Sequence, residues 1–199
     1  MPRIILMITL IFVGELIFSL VFNIPLFFRP TILEVFGISN TQLGDMFAVY
    51  GIAAMLSYFP GGVLADRFSP RILIVTSLFL TSIGGLYLAT FPGIVGMRFL
   101  YGYWGVTTVF FFWGALIKAT RDWGGNNLQG LAFGLLDGGR GLVAASCATI
   151  GVIILSVYMP DDARQATPLM RESGLRMVVW YYTLLVFLAA ILAWFVIPT

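Results

Sequence analysis

Long apolar runs broken by short polar punctuation make up this chain from end to end. The first run extends from about Ile4 to Phe28 and stops at Arg29-Pro30. Further runs cover about 42–65, 70–90, 94–119, 128–158 and 175–196. Each is close to the ~20 residues that a helix needs to cross a bilayer. Asn40-Thr41 predicts the start of the second helix, and Pro70 suits the first turn of the third. Phe91-Pro92-Gly93 is a short turn, so spans 3 and 4 are expected as antiparallel neighbours. The remaining connectors are polar: Arg121 to Asn127 between spans 4 and 5, and Met159 to Gly174 between spans 5 and 6. The expected fold is an all-α membrane protein, with residues 1–199 forming a single six-helix transmembrane bundle.

Composition supports lipid as the solvent. Hydrophobic residues are 60% of the chain and charged residues 10%, against the roughly 25% charge of a soluble domain. The first run is too long for the apolar core of a signal peptide and shows no small-x-small cleavage site. A net charge of +2 is too small and too scattered to point to nucleic acid. Cys147 is alone, and there is no His. A disulfide framework is thereby excluded, and so are the commonest metal ligand and the usual base for a serine nucleophile. Neither an enzyme, a cofactor nor a metal site is expected.

A few polar residues lie inside the apolar runs. Glu15 falls midway along span 1, where a charged group costs a few kcal/mol, about 2.5–3.5 by insertion scales. Ser19 and Asn23 follow at i+4 and i+8, which predicts a polar stripe on one face and a water-filled cavity beside it. Arg98 sits about one turn inside one end of span 4, and Tyr101 shares its face. A guanidinium there can hold a carboxylate or phosphate, or snorkel to the interface. Asp137 and Arg140 are three apart on span 5 and so form either a structural pair or a gate whose partners change. Gly130, Gly134 and Gly138 recur every four residues, a ridge read as a tight packing seam. The aromatic cluster from Tyr103 to Trp113 is read as packing or lipid-facing.

Three segments point to a family. Gly62, Leu64, Asp66, Arg67 and Arg71, in the short loop between spans 2 and 3, resemble the loop 2–3 signature of the major facilitator superfamily, with Ser69-Pro70 replacing its usual Gly-Arg step. Arg98-Phe99-Leu100-Tyr101-Gly102 looks like that family's Arg-x-x-Gln-Gly element, with Tyr101 in the Gln position. Gln129-Gly130-Leu131-Ala132-Phe133-Gly134 resembles the start of its fifth helix, without the Arg.

The resemblance implies the N-terminal half of a transporter built from two six-helix bundles, with substrate between them. It implies that helix 1 lines the central cavity, and that an acid there takes part in proton coupling; a buried Glu15 satisfied by a neighbouring Arg is the structural alternative. It links Arg98 to proton transfer and conformational coupling. It makes Asp66 and the loop arginines part of a charge network at the cytoplasmic ends, against the plainer reading of a loop that only fixes topology. It also puts this loop, and with it both termini, in the cytoplasm of a plasma-membrane protein. Lys and Arg agree only narrowly: Arg3, Arg67, Arg71, Lys118 and Arg121 on that side, against Arg29, Arg164, Arg171 and Arg176.

The expected function is alternating-access secondary transport of a small solute, anionic if Arg98 or Arg140 is its counter-charge, with the proton as coupling ion. The second half is expected as a continuation of the chain, a second copy or a separate subunit. The competing reading is a non-transporting membrane sensor or assembly subunit derived from a half-transporter.

Overall fold

The computed structural model describes residues 3–160, 162 and 165–198. Arg164, counted above among the basic residues, lies outside the described residues. Six helices long and apolar enough to cross a membrane occur among the described residues: span 1 (Arg3–Phe27), span 2 (Asn40–Arg67), span 3 (Pro70–Leu88), span 4 (Ile94–Gly124), span 5 (Gln129–Val157) and span 6 (Pro168–Val196). The protein is an all-α membrane protein.

Local chemistry sets the helix boundaries. Span 2 begins behind a capping box: Ser39 Oγ accepts from the Gln42 amide at 3.2 Å, and Gln42 Oε1 accepts from the Ser39 amide at 2.8 Å. Span 3 opens at Pro70 in its first turn. Span 6 starts at Pro168, behind the Thr167 cap, rather than near Leu175. It has 29 residues, about 43 Å of helix against a hydrocarbon core of ~30 Å. The apolar pattern marked only the part that lipid requires, and the first two turns stand above it. Span 4 likewise continues to Gly124 as an amphipathic turn past the apolar run. After span 1 the chain does not stop at Arg29-Pro30. It breaks at Phe28 and forms a short helix, Arg29–Phe36, that ends on Gly37 at φ +61°.

Two spans contain π-helical segments, Ser19–Asn23 in span 1 and Thr107–Trp113 in span 4. The second is anchored by hydroxyls from span 3. Ser77 Oγ donates to the Thr107 carbonyl at 2.6 Å, and Thr81 and Thr107 hydroxyls lie 3.0 Å apart. The aromatics of span 4 bond span 3 as well: Tyr103 donates to the Leu80 carbonyl at 2.6 Å and Trp104 Nε1 to that of Thr81 at 3.2 Å. Tyr103 and Trp104 are therefore packing residues, Trp104 fully so.

Span 2 packs against span 4, span 3 against span 6, and span 1 against spans 5 and 6. The close helix crossing is not where the four-residue glycine repeat suggested. Gly130, Gly134 and Gly138 face open space. Backbones instead meet between spans 2 and 4, where a Cβ on Gly105 would lie 2.6 Å from the Tyr50 carbonyl and one on Gly61 2.8 Å from that of Phe110. Spacing identifies small residues but not which helix face a neighbour occupies. Gly105→Val should therefore lower stability by about 1–3 kcal/mol through overpacking. Gly130→Val should leave it nearly unchanged. Thermal unfolding of the two purified variants checks the contrast, and equal losses would overturn this placement of the seam.

Candidate functional site

A cavity of about 410 Å³ lies among spans 1, 2, 4 and 5. Span 1 supplies Glu15, Phe18, Phe22 and Asn23, span 2 Tyr50, Ala54 and Tyr58, span 4 Val109 and Trp113, and span 5 Arg140. Both π-helical segments therefore contribute wall residues. On a straight α-helix, residues eight apart drift by about 80°. The i→i+5 turns of Ser19–Asn23 rotate more slowly, which brings Asn23 back over Glu15. Asn23 Nδ2 donates to Glu15 Oε1 at 3.0 Å. Ser19, between them in sequence, is fully buried, and its hydroxyl donates back to the Leu16 carbonyl at 2.7 Å. The polar stripe thus resolves into two cavity residues and one that satisfies its own helix.

Glu15 is 8% exposed. Its other oxygen faces Arg140 Nε at 3.5 Å, and Arg140 Nη1 lies 3.5 Å from Asp137 Oδ1. Both contacts are long for charge-assisted hydrogen bonds, which run nearer 2.7–2.9 Å. Arg140 Nε is buried without a hydrogen-bond partner. The guanidinium also lies 5.7 Å from the Phe18 ring centroid and 6.0 Å from that of Trp113, so two aromatic faces share its charge. Glycines make the approach possible. A Cβ on Gly14 would touch the Arg140 stem at 3.3 Å, and one on Gly139 would collide with Ile11 at 2.7 Å. Asp137-Gly138-Gly139-Arg140 is thus a charge pair beside the glycine that lets span 5 close onto span 1.

Glu15, Asn23, Arg140 and Asp137 come together, with Asp137 at the exposed margin. Arg98 and Tyr101 do not join them. Arg98 pairs with Asp45 at 3.3 Å, both about half exposed, near the start of span 2. Tyr101 is 2% exposed and packs on Phe47 and Trp104. The aromatics Phe18, Phe22, Tyr50 and Tyr58 are wall residues that the sequence did not single out, and Trp113, read there as packing or lipid-facing, is another. Only their nearness to a charge could have signalled them, and that nearness is tertiary.

The signature loop sits at one end of the bundle. Arg71 Nε donates to the Ile197 carbonyl, and its guanidinium lies 5.9 Å from the Trp194 ring. Lys118 Nζ donates to the Ala65 carbonyl at 2.7 Å. Arg3 and Trp123 exchange side-chain-to-backbone hydrogen bonds at 2.5 and 2.6 Å. Gly62 faces open space, and Asp66 and Arg67 are exposed. The N-terminus, loops 2–3 and 4–5 and the end of span 6 therefore share one end.

Residues 11–199 match the sequence profile of the Major Facilitator Superfamily. The chain belongs to the major facilitator superfamily. This is a family of transporters, and membership fits the all-helical fold with six spans. The chain is 33% identical over 159 residues to the inner membrane protein YqcE of Escherichia coli, covering 80% of this chain and 35% of that protein. It is 28% identical over 164 residues to the inner membrane protein YihN of the same organism, covering 82% and 37%. An uncharacterized protein of Mycoplasma pneumoniae, the MG294 homolog, is 27% identical over 57% of this chain and 26% of its own length. The chain spans little more than a third of the length of the two Escherichia coli relatives. No solved structure matches it.

Arg140→Met strands the Glu15 carboxylate in the wall and should cost about 1–3 kcal/mol of stability. Adding Glu15→Gln should recover roughly half of that loss, because the two effects are coupled. Thermal unfolding of the single and double variants measures this, and strict additivity would show that the two groups do not interact.

Proposed function

We propose that this chain is one six-helix half of a secondary active transporter that moves a small solute by alternating access, coupled to protons at Glu15. The observation that carries the reading is the Glu15–Arg140 contact in the cavity wall, with Asn23 fixing the carboxylate. A proton on Glu15 removes the charge that faces Arg140. The guanidinium is then left with Asp137 and is free to engage an anionic group of the solute, to which its fork is geometrically matched. Substrate and proton would thus compete for, and report to, the same cation.

Two further features support a second half. Spans 2 and 5 are the least buried, with 22% of their apolar stretch covered against 44–61% for the other four. Of the glycines within the six spans, theirs are the ones that meet nothing within 4 Å: Gly44, Gly51, Gly62, Gly130, Gly134, Gly138 and Gly141. Such faces suit another helix pair sliding past, supplied by a continued chain, a second copy or a separate subunit. The relatives named inner membrane proteins favour the plasma membrane, and the basic residues of the loop 2–3 end favour a cytoplasmic location for that end. Asp66, Arg67 and Arg71 belong to that end as gate elements, and Arg98 with Asp45 marks the opposite end.

Glu15→Gln should abolish pH-driven accumulation of the solute while sparing solute exchange. Uptake into proteoliposomes under an imposed pH gradient, beside counterflow without one, separates the two. Undiminished pH-driven uptake in the variant would end the coupling role of Glu15.

A further inference from the structure

Spans 3 and 6 contribute nothing to the cavity wall and turn a second concavity outward, an apolar groove of about 270 Å³. Its rims are Phe79, Ile83 and Leu86 on span 3 and Trp180, Leu184 and Phe187 on span 6, each 39–55% exposed. Its floor is Ser82 and Thr183, both nearly inaccessible. The groove exists because these small residues sit between large ones. Their hydroxyls are already used within their own helices: Ser82 donates to the Phe79 carbonyl and Thr183 to that of Val179, each at 2.7 Å. The floor therefore offers no hydrogen bond to an occupant, only contact. At the inner end the Phe79 and Phe187 rings close the groove, with centroids 6.3 Å apart.

One cation sits on the same stripe, with the carboxylate of Glu172 one turn before it. Arg176, Trp180, Leu184 and Phe187 follow at i, i+4, i+8 and i+11 along span 6, one face of the helix. Arg176 is about half exposed and held over the Phe91 ring at 4.9 Å. Its carboxylate partner is Glu172 at 2.6 Å, an exposed i,i+4 pair of the kind worth only a few tenths of a kcal/mol. From Arg176 to Phe187 is eleven residues, about 16 Å of helix. One leaflet of a ~30 Å hydrocarbon core is about 15 Å deep. Counted back from Val196, ~20 residues of helix cross that core, which puts Arg176 at the level of the lipid headgroups.

We propose that this groove is a binding site for one anionic phospholipid. One of its acyl chains lies between the Trp180 and Ile83 rims down to Phe79, and its phosphate is held by Arg176 in place of Glu172. Charge at the rim and an apolar slot one leaflet deep are complementary to the two ends of that molecule.

Native mass spectrometry of the purified full chain, titrated with phosphatidylglycerol or with phosphatidylcholine of the same acyl chains, tests the assignment. The wild type should retain one phosphatidylglycerol about fivefold more strongly than phosphatidylcholine, the worth of a single basic residue against an anionic lipid. Arg176→Gln should remove that preference, and Ile83→Trp, which fills the groove, should remove retention of both lipids. Arg98→Gln, a change to an equally exposed arginine in a longer ion pair, should alter neither. Equal retention of the two lipids by the wild type would overturn the proposal. So would an unchanged preference in Arg176→Gln, or an equal loss in Arg98→Gln, which would show diffuse attraction. Arg176 is exposed, so its variant leaves folding intact and its result decides.

Discussion

A carboxylate midway along a membrane helix has to be given a counter-charge and a hydrogen bond, and most of this bundle follows from how Glu15 receives both. The hydrogen bond comes from Asn23, two turns along the same helix, and reaches Glu15 only because the intervening turns are π-helical. The counter-charge comes from span 5 and requires that span to approach within a side-chain length of span 1. Gly14 and Gly139 permit that approach. The long contacts from Arg140 to Glu15 and Asp137 leave the cation shared among several weak partners rather than locked to one. A cation so held changes partners at low cost, whereas a tight buried pair would resist it.

The fold was legible because the bilayer imposes it. Run length and polar punctuation located six spans, and Asn40-Thr41 and Pro70 gave helix starts within a residue or two. What escaped was whatever the bilayer does not dictate. The first turns of span 6 and the last of span 4 are amphipathic and lie beyond the apolar runs. The short helix Arg29–Phe36 begins at the very residues that read as a stop.

For the candidate site, polarity inside an apolar run points to Glu15, Asn23 and Arg140, and all three line the cavity. It could not separate Ser19, which satisfies itself, from its neighbours, because that depends on a local change of helical pitch. Arg98 and Tyr101 were grouped by a shared face, but that face turns to span 2, where Asp45 and Phe47 receive them. The glycine ridge of span 5 failed as a guide to the internal seam for a related reason. A repeat of four describes one helix, and a seam is a property of two. Backbone contact occurs at Gly61 and Gly105, which no single-helix pattern links.

The cross-links at the loop 2–3 end carry a mechanical consequence. Arg3 with Trp123 fastens the first helix to the fourth, Arg71 with Ile197 fastens the third to the sixth, and Lys118 with Ala65 fastens the fourth to the second. Helices clasped at one end cannot splay there independently. Helices 1, 2 and 4 are thereby tied into one set and helices 3 and 6 into another, so a push on one loop at that end is shared by every helix of its set.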